Sequence, residues 1–314
     1  MSHVPKVSVI VLSYNEEKYL KECLDSILGQ QCDFRFEILV ADDASQDGSK
    51  DILLGYADKY PGIVVPILNE TNLGVVGNLW NAGSRVRGEY VAFCDSDDYW
   101  IDPHKLKKQV QLLDEDNDTV LVYTNAKVLD EETGEFRRNV TRPMPEGYVF
   151  DHLLEGNFIK TLTVCVRSGL FRQALDAIVP SGEWSVQDYP LWLFMAKRGA
   201  FRYLDDVTAV YRLRSESVSR SRDRARKVAY KYGVWKIREH FMEDHGNLPG
   251  ETETALRAEG ADLTVLHLFY SGQYGRLRAF LKENRGRAFG RRANRVARCA
   301  FSNLLLGVLS RMMR

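Results

Sequence analysis

Two groups of aspartates stand at the ends of strand-like runs, where their carboxylates could bind a cation. Asp42 and Asp43 follow one apolar run, and Asp95, Asp97 and Asp98 follow another. Like charges this close raise one another's pKa unless a positive charge compensates them. Mg²⁺ commonly binds one or two carboxylates together with substrate phosphates. The two groups therefore predict a site for a divalent cation and a diphosphate, although turns and helix caps also use aspartate.

A sheet must position these aspartates, because strand and helix patterns alternate over the first 130 residues. Runs rich in β-branched residues predict strands, and apolar faces at helical spacing predict helices. The predicted strands are 6–14, 36–43, 63–69, 90–95 and 119–130. The predicted helices are 16–30, 50–60 and 105–114, and 72–86 is predicted as a Gly-containing loop followed by a helix. Such alternation predicts an α/β fold with a mostly parallel sheet, in which ligands bind beyond the carboxyl ends of the strands. Pro66 indicates that the third strand lies near an edge.

The pattern changes after residue 130. We expect a hairpin turn at 130–136, helices at 150–176 and 186–198, strands at 200–213, and mostly helix from 222 to 283. The simplest organisation is one catalytic domain with a helical C-terminal extension, which 314 residues can supply.

Composition and charge argue against several classes of protein. The formal net charge is zero, but residues 285–314 contain eight arginines and no acid follows Glu283. An acidic body with a basic tail argues against a general nucleic-acid binder. Five cysteines without a CxxC pair indicate neither a disulfide framework nor a zinc site, and they fit a reducing cytosol. We expect no signal peptide, because the first apolar run is short, and no run approaches the ~18 apolar residues of a membrane span.

The segment 285–314 predicts a basic amphipathic helix. At helical spacing its apolar residues share one face, and most of its arginines fall on the other. This pattern favours a helix that lies on an anionic membrane surface. The alternative is a helix that packs on the protein's own acidic body or on another copy of the chain.

Four motifs follow one another in the first hundred residues: "VSVIVLSYNEEKYLKECLDSILGQ", "FEILVADDASQDGS", "NLGVVGNLWNAG" and "GEYVAFCDSDDYW". In this order they resemble the nucleotide-sugar domain of inverting family 2 glycosyltransferases of the GT-A fold. The resemblance covers roughly residues 5–215 and implies a Rossmann-like sheet with flanking helices. We therefore expect a GT-A catalytic domain at 1–221, with a nucleotide-sugar part at 1–130 and an acceptor part at 131–221. A helical extension at 222–284 and the tail helix at 285–314 would follow.

The resemblance implies how a donor nucleotide would be bound. Tyr14 would stack on the uracil of a UDP-sugar, and Asp43 would accept a hydrogen bond from the ring N–H. Ser13 and Asn15 would lie nearby, and Asp95 would contact the ribose. Three further residues would line the nucleotide and sugar pocket, namely Asn72, Gly74 and Asn78.

The resemblance also implies a divalent cation, Mn²⁺ or Mg²⁺. Asp97, with or without Asp98, would bridge it to the diphosphate. Asp98 is also placed to cap the next turn, and that alternative stays open. The bond to be broken joins the sugar C1 to a diphosphate oxygen, so a cation would stabilise the charge of the leaving group.

Sugar transfer to a hydroxyl needs a general base that is not committed to the cation. Asp188 precedes the apolar run of the predicted helix at 186–198, where position alone is equally compatible with a helix cap and with a base. The resemblance favours the base, because family members have an acidic pair here whose second Asp is the base. This chain has Gln187 in the first position of that pair. Glu183 is the fallback candidate.

The stretch "YRLRSESVSRSR" implies a second contact with the diphosphate. Family members often have Tyr-Arg here, with a His two residues later, on a loop that closes over the donor. This chain has Arg212, and it has Arg214 where His is frequent. A guanidinium can bind phosphate oxygens, but a contact between His and the metal would be lost. A solvated basic loop is the alternative.

Together with the resemblance, these residues imply a metal-dependent inverting transferase for UDP-sugars. A role in bacterial surface polysaccharide or glycolipid assembly would follow, with a sugar or lipid-linked sugar as acceptor. The protein would then be cytoplasmic and peripheral on the inner face of the membrane. Two rivals remain. A nucleotidyltransferase or pyrophosphorylase should have a Gly-rich basic loop after the first strand, where "SYNEEKYL" stands. A catalytically silent binding module would not need Asp95, Asp97 and Asp188.

Overall fold

The computed structural model describes residues 4–140, 144–178, 184, 186–215, 223–243, 245 and 248–300. It divides into two compact units, Met1–Leu213 and Arg214–Arg314. The predicted catalytic domain ends a few residues later, at 221, and the boundaries at 221 and 284 stay predictions. The fallback base Glu183 and the loop at 216–222 lie outside the described residues.

The first unit is built on one sheet of nine described strands. These are β1 (Val7–Ser13), β2 (Phe36–Asp42), β3 (Val64–Leu68), β4 (Tyr90–Phe93), β5 (Tyr99–Trp100), β6 (Thr119–Asp130), β7 (Phe136–Arg138), β8 (Val164–Arg167) and β9 (Ala200–Leu213). Their order is β3-β2-β1-β4-β8-β6-β9-β5, and β7 pairs with β6. The predicted α/β fold is confirmed, and the strand that contains Pro66 lies at an edge. The sheet is mixed rather than mostly parallel, because β5, β7 and β8 pair with their neighbours only in antiparallel fashion.

The strands of the donor half are parallel and end together. β1 pairs with β2 so that Ser13 lies opposite Asp42, and β1 pairs with β4 so that Ile10 lies opposite Phe93. The residues that follow these strands therefore meet at one edge of the sheet. This is where an open parallel sheet places its ligand.

Helices cover both faces of the sheet. In the first unit they are α1 (Leu20–Leu28), α2 (Ser49–Lys59), α3 (Gly74–Gly83), α4 (Lys105–Glu115), α5 (Phe150–Glu155), α6 (Ser168–Ile178) and α7 (Tyr189–Ala196). Apolar residues of α1, α2 and α4 share a core cluster with alternate residues of β1 and β2. On the other face, Phe93 of β4 packs edge-on against Phe171 of α6 and Trp192 of α7, with ring centroids 5.5 and 5.7 Å away.

The predicted helix at 150–176 is wrong, because the segment contains a strand. α5 is followed by a 3₁₀ turn at Thr161–Thr163, then β8, then α6. β8 is antiparallel to both of its neighbours, with Val166 opposite Val91 of β4 and Leu121 of β6. The physical reason is pairing: both edges of this short apolar strand bind strands that are distant in the sequence.

The end of the sheet differs from the prediction in a second way. The residues 200–213 form one continuous strand, β9, which runs parallel to β6 with shifts of register near Asn125. The two-residue strand β5 pairs with β9, with Tyr99 opposite Val210. This pairing joins the chain directly after the second aspartate group to β9.

The second unit is helical, as predicted. It contains α8 (Arg224–Glu243), α9 (Gly250–Tyr270), α10 (Tyr274–Glu283) and α11 (Arg291–Cys299). The tail helix thus begins at Arg291 rather than at 285, and residues 301–314 lie outside the described part. Its apolar residues Ala293, Val296 and Ala300 are buried in a cluster with α9 and α10. Within the described ranges, no helix has both the length and the hydrophobicity needed to cross a membrane.

Candidate active site

A cleft of about 400 Å³ opens at the carboxyl ends of β1, β2 and β4. It brings together most of the residues that the sequence predicts for the nucleotide and metal sites. The predicted residues that line it are Ser13, Tyr14, Asp43, Asn72, Gly74, Asn78, Asp95 and Asp97. Leu12, Glu16, Val75 and Ser96 line it as well and were not predicted. The cleft fits a ligand that is polar at one end and can stack on an aromatic ring.

Asp43 is held by the start of α3. Its Oδ1 accepts hydrogen bonds from Asn69 Nδ2 and the Leu73 N–H, both at 2.8 Å, and its Oδ2 accepts from the Gly74 N–H at 2.9 Å. Gly74 has a φ of 72°, a left-handed conformation that favours glycine. These contacts fix a buried carboxylate at the wall of the cleft.

The loop after β1 presents an aromatic ring and an unused hydroxyl. Tyr14 is 47% exposed, so a face of its ring is open to a ligand. The Ser13 Oγ is buried, and no described residue provides it with a hydrogen-bond partner. The Asn15 N–H donates to Ser45 Oγ at 2.9 Å and its Oδ1 accepts from the Gln46 N–H at 2.7 Å, while its predicted place near the nucleotide stays a prediction. Asn15 therefore braces the loop and does not line the cleft.

Asn72 and Asn78 also support the wall. Asn72 Oδ1 accepts from the Gly74 N–H at 3.0 Å, at the start of α3. Asn78 is buried, and its Nδ2 donates to the Ala41 carbonyl at 2.9 Å while its Oδ1 accepts from Asn69. Their predicted contact with the donor stays a prediction.

The second aspartate group forms a tight turn after β4. The Asp98 N–H donates to the Asp95 carbonyl at 2.9 Å, which brings the three carboxylates together. Burial, together with the charges of Asp97 and Asp188, raises the pKa of Asp95 to about 7. Burial and the charges of Asp97 and Asp95 also raise the pKa of Asp98 well above its usual value. The repulsion expected from the sequence is therefore present in the folded chain.

Asp98 links this turn to β9 and does not cap the following turn. Its Oδ1 accepts from the backbone N–H of Arg212 at 2.7 Å, whereas its Oδ2 is buried without a partner in the described residues. An ionised oxygen left in this state is costly. The orphaned oxygen is one observation that favours a cation next to Asp98.

The side chain of Arg212 does not line the cleft. Its guanidinium forms ion pairs with Glu22 and Glu131 and lies over the rings of Tyr19 and Tyr99. Two carboxylates and two aromatic faces thus hold it on the side of α1 and β6. Its predicted contact with the diphosphate stays a prediction. Arg214 is the first residue of the second unit, and its role also stays a prediction.

Asp188 caps α7 and faces the site at the same time. Its Oδ1 accepts from the Tyr189 N–H at 2.7 Å, which is the cap. Its Oδ2 accepts from Thr161 Oγ1 at 3.1 Å and from Asn157 Nδ2 at 3.3 Å. Burial raises the pKa of Asp188, and these hydrogen bonds oppose the rise. The cap and the proposed base are therefore compatible, because each uses a different oxygen.

A small second cavity connects Asp188 to the donor strands. Asp95, Thr161, Gln187, Asp188 and Trp192 contribute to its lining. Sequence reasoning missed Thr161 and Asn157, which come from the stretch before β8. No local pattern marks them, because tertiary packing alone brings them to Asp188.

The acidic residues fit a divalent cation. Asp97 lines the cleft, and the unpartnered Asp98 Oδ2 lies one residue further along. Within the part of the chain that is described, no three His, Cys, Asp or Glu side chains form a preformed metal cluster. A pair of carboxylates suits a cation that takes its other oxygen ligands from a substrate and water.

Comparison with known families decides the class of this fold. Residues 8–179, more than half of the chain, match the model described as glycosyl transferase family 2. The chain belongs to glycosyl transferase family 2. An uncharacterized protein of Mycobacterium tuberculosis, Rv1520, is 35% identical over 236 residues, which are 75% of this chain and 65% of that protein. The match therefore spans less than two thirds of the length of that relative.

Another family 2 relative matches over most of its length. A Bacillus subtilis protein provisionally named as the teichuronic acid biosynthesis glycosyltransferase TuaG is 30% identical over 240 residues, 76% of this chain and 91% of that protein. The identity and coverage support the same family assignment.

Solved structures share the fold of this family 2 member. The TarS fragment 1–349 of S. aureus, in complex with UDP-GlcNAc, has a TM-score of 0.60 and 21% identity, and the match covers 96% of this chain and 88% of that one. The mannosyltransferase PcManGT of Pyrobaculum calidifontis, in complex with GDP-Man and Mn²⁺, has a TM-score of 0.57 and 18% identity over 98% and 87% of the two chains. At these identities the likeness establishes the GT-A type of fold.

Proposed function

We propose that this family 2 protein is a metal-dependent, inverting glycosyltransferase that moves a sugar from a UDP-sugar to an acceptor hydroxyl. One observation carries the proposal: a single cleft gathers Tyr14, Asp43, Asp95 and Asp97, and Asp188 lines the cavity that adjoins it. Nucleotide recognition, cation binding and proton transfer need these residue types within one site.

The donor would bind along the cleft from Tyr14 to Asp97. The exposed Tyr14 ring would stack on the base, and Asp43 would accept a hydrogen bond from the uracil N–H. Ser13 Oγ, which has no partner among the described residues, supports a polar contact nearby. Asp95 would accept hydrogen bonds from the ribose hydroxyls. Carboxylates suit this task because each can accept several hydrogen bonds.

Asp97 and Asp98 would hold Mn²⁺ or Mg²⁺ next to the diphosphate. When bound, such a cation supplies positive charge that stabilises the leaving diphosphate. Asp98 would use Oδ2 for this, because its Oδ1 already accepts from Arg212. The raised pKa of Asp98 supports this assignment, since a cation would favour the ionised form of a carboxylate that burial disfavours.

Asp188 would act as the general base. Its Oδ2 would take the proton of the acceptor hydroxyl as that oxygen attacks C1 of the sugar in one displacement. Thr161 and Asn157 would keep this oxygen oriented through their hydrogen bonds. A single displacement inverts the configuration, most often giving a β-linkage from an α-linked donor.

The acceptor would be a sugar or a lipid-linked sugar in bacterial surface polysaccharide or glycolipid assembly. The name of TuaG refers to teichuronic acid biosynthesis, which supports this class of acceptor. The TarS fragment was solved with UDP-GlcNAc, which supports a UDP-sugar as the donor. The PcManGT complex contains Mn²⁺, which supports a divalent cation. The protein would act in the cytoplasm at the inner face of the membrane.

The second unit would bring the enzyme to an anionic membrane surface. The apolar residues of α11 are buried in its own unit, so attachment would depend on the exposed basic face. That face contains Arg291, Arg292, Arg295 and Arg298, and the exposed Arg285 and Arg287 precede the helix. Clustered arginines near a membrane attract anionic lipids by about 1 kcal/mol each.

A panel of UDP- and dTDP-sugars tests the enzymatic proposal. We expect Mn²⁺-dependent hydrolysis or transfer with one UDP-sugar and loss of activity in EDTA. Release of pyrophosphate from a nucleoside triphosphate would instead identify a nucleotidyltransferase. Binding of UDP without turnover of any donor, in the presence of acceptor sugars, would identify a silent binding module.

Sedimentation with liposomes tests the membrane proposal. Anionic vesicles should bind the protein, and changing Arg291, Arg292, Arg295 and Arg298 to Gln should reduce binding by at least tenfold. Neutral phosphatidylcholine vesicles are the control. Equal binding of both proteins to anionic vesicles would exclude attachment through this face.

A further inference from the structure

Lys160 brings an unassigned ammonium group to the acidic side of the active site. It precedes the 3₁₀ turn Thr161–Thr163, and its Nζ lies 4.1 Å from the centroid of the Tyr211 ring. The next residue, Arg212, donates its N–H to Asp98. The side chain of Lys160 is half-buried, and its position was not predicted from the sequence.

The backbone around Lys160 is firmly held. The Lys160 carbonyl accepts from the Thr163 N–H at 2.9 Å and from Thr163 Oγ1 at 2.6 Å. The Leu162 carbonyl accepts from Trp100 Nε1 at 3.0 Å. Thr161 donates to Asp188, the proposed base. Lys160 therefore starts from a fixed point next to the base and is not part of a loose surface loop.

The ammonium is influenced by the charges of nearby carboxylates but forms an ion pair with none of those described. Burial lowers the pKa of Lys160, while the charges of Asp98, Asp188 and Asp95 raise it. Lys160 in turn lowers the pKa of Asp95. Among the described residues, the Lys160 ammonium has no hydrogen-bond acceptor and no carboxylate oxygen within ion-pair distance. An ammonium has three donors, and the contact with the Tyr211 ring uses only its charge.

This arrangement fits a ligand contact better than a purely structural role. A structural lysine of this kind would form an ion pair with one carboxylate, as Lys6 does with Glu89 at 2.8 Å. Lys160 instead keeps its donors free while its charge balances the acidic group. A half-buried ammonium with free donors is suited to bind an anionic oxygen that arrives with a substrate.

We propose that Lys160 binds a phosphate oxygen of the donor's diphosphate and serves as a second cation for the leaving group. This inference rests on the proposed function of the site. In the transfer step the bond from C1 to the diphosphate oxygen breaks, and its electron pair goes to that oxygen. The acceptor oxygen forms the new bond to C1, and its proton goes to Asp188. The Lys160 ammonium donates a hydrogen bond to the diphosphate and keeps its protons.

The same ammonium could instead meet a phosphate on the acceptor. Arg137 of β7 is close enough for its charge to lower the pKa of Lys160, so positive charge extends toward the acceptor half. Among the carboxylates, Asp98 and Asp188 raise the pKa of Lys160 most. In the proposed mechanism these two residues lie on opposite sides of the bond to be broken. The donor's diphosphate is therefore the occupant that these contacts favour.

Binding of UDP and of uridine separates the phosphate contact from recognition of the base. Lys160→Met and Lys160→Arg would be measured by calorimetry, in Mn²⁺ and in EDTA. The matched control is Lys59→Met, because Lys59 also lies over a ring, that of Tyr60 at 5.0 Å, but far from the cleft. We expect Lys160→Met to weaken UDP binding in EDTA by about tenfold to a hundredfold, with uridine binding unchanged. Lys160→Arg should recover part of the loss, and Lys59→Met should match the wild type.

Steady-state kinetics with the active UDP-sugar complete the test. Lys160→Met should lower kcat at saturating donor, because the contact strengthens as the leaving group gains charge. Wild-type affinity for UDP in Lys160→Met would overturn the proposal, and so would a change confined to the acceptor KM. If the wild type binds no UDP in either condition, the proposed function itself fails, which is a distinct result. Melting temperatures verify that each variant is folded, and Lys160→Gln replaces Lys160→Met if the latter is not.

Discussion

The backbone N–H of Arg212 donates to Asp98 Oδ1 at 2.7 Å, and the other carboxylate oxygen of Asp98 is buried without a partner among the described residues. The end of β9 is thereby attached to the turn that follows β4. One side chain thus has a structural oxygen and a second oxygen that, in the proposed function, would bind the cation. The two functions can be separated by substitution.

Asp98→Asn should keep the hydrogen bond with the Arg212 N–H and should lose cation binding. An amide oxygen can still accept from Arg212, and a buried charge is removed, so the free energy of unfolding should be unchanged or higher. Mn²⁺-dependent binding of UDP should fall at least tenfold. Asp98→Ala removes both functions and should lower the free energy of unfolding by about 1–3 kcal/mol. Urea unfolding and calorimetry measure the two effects, and equal stability of the two variants would contradict this division.

Asp188→Asn should abolish most transfer while preserving the fold. Asparagine is also a good N-cap residue, so α7 should keep its cap. The amide cannot take the proton of the acceptor, and kcat should fall by about 10²–10⁴-fold. UDP affinity should be unchanged, which distinguishes a lost base from a damaged donor site. Full transfer activity in this variant would show that another group is the base.

The pH profile should report the environment of Asp188. Burial raises its pKa, so the acidic limb of kcat/KM should lie above the usual range of a carboxyl group. Thr161 donates to the ionised form and opposes that rise. Thr161→Val should therefore move the limb to higher pH, because the protonated base becomes easier to form. Thr254→Val is the control, since Thr254 Oγ1 also donates one hydrogen bond but lies in the second unit. If the acidic limb of kcat/KM stayed at the same pH in Thr161→Val, Thr161 would have no influence on the base.

Lys105 should make stability depend on pH in the alkaline range. Its side chain is fully buried beside the Trp100 ring, and burial lowers its pKa to about 8. The unfolded chain binds this proton up to a higher pH than the folded chain does, so the contribution of Lys105 to stability increases as pH rises from about 8 toward 10.

The variant Lys105→Met should remove this dependence. The difference in unfolding free energy between wild type and variant should change by roughly 1 kcal/mol per pH unit across that interval. Lys107→Met, on the same helix but exposed and paired with Asp33 at 3.8 Å, is the control. A constant difference between wild type and Lys105→Met would mean that the ammonium is solvated in the folded chain.

The donor half could be predicted because its signals are local. Short apolar runs mark β1, β2 and β4. The aspartates that follow β2 and β4 reach the cleft because these parallel strands end at the same edge of the sheet. Gly74 illustrates the same point, since its position at the start of α3 follows from a short motif. Eight predicted residues therefore line one cleft.

The acceptor half could not be predicted because its contacts are between distant residues. The strand β8 has only four residues, and its apolar pattern is also compatible with a helix; pairing with β4 and β6 decides the outcome. Thr161 and Lys160 reach the site through that pairing. Ion pairs with Glu22 and Glu131 fix the side chain of Arg212, and no sequence motif connects these three residues.

The insertion of β8 between β4 and β6 has a consequence for engineering. The strand that carries the turn with Asp95 and Asp97 is bordered on one side by a strand from the part of the chain expected to select the acceptor. A chimera that replaced residues 131–213 would also replace a neighbour of β4, and with it the support of Asp95 and Asp97. We therefore expect that donor and acceptor preferences in this protein cannot be exchanged as separate modules. New acceptor specificity would have to be selected by changing loops on an intact sheet.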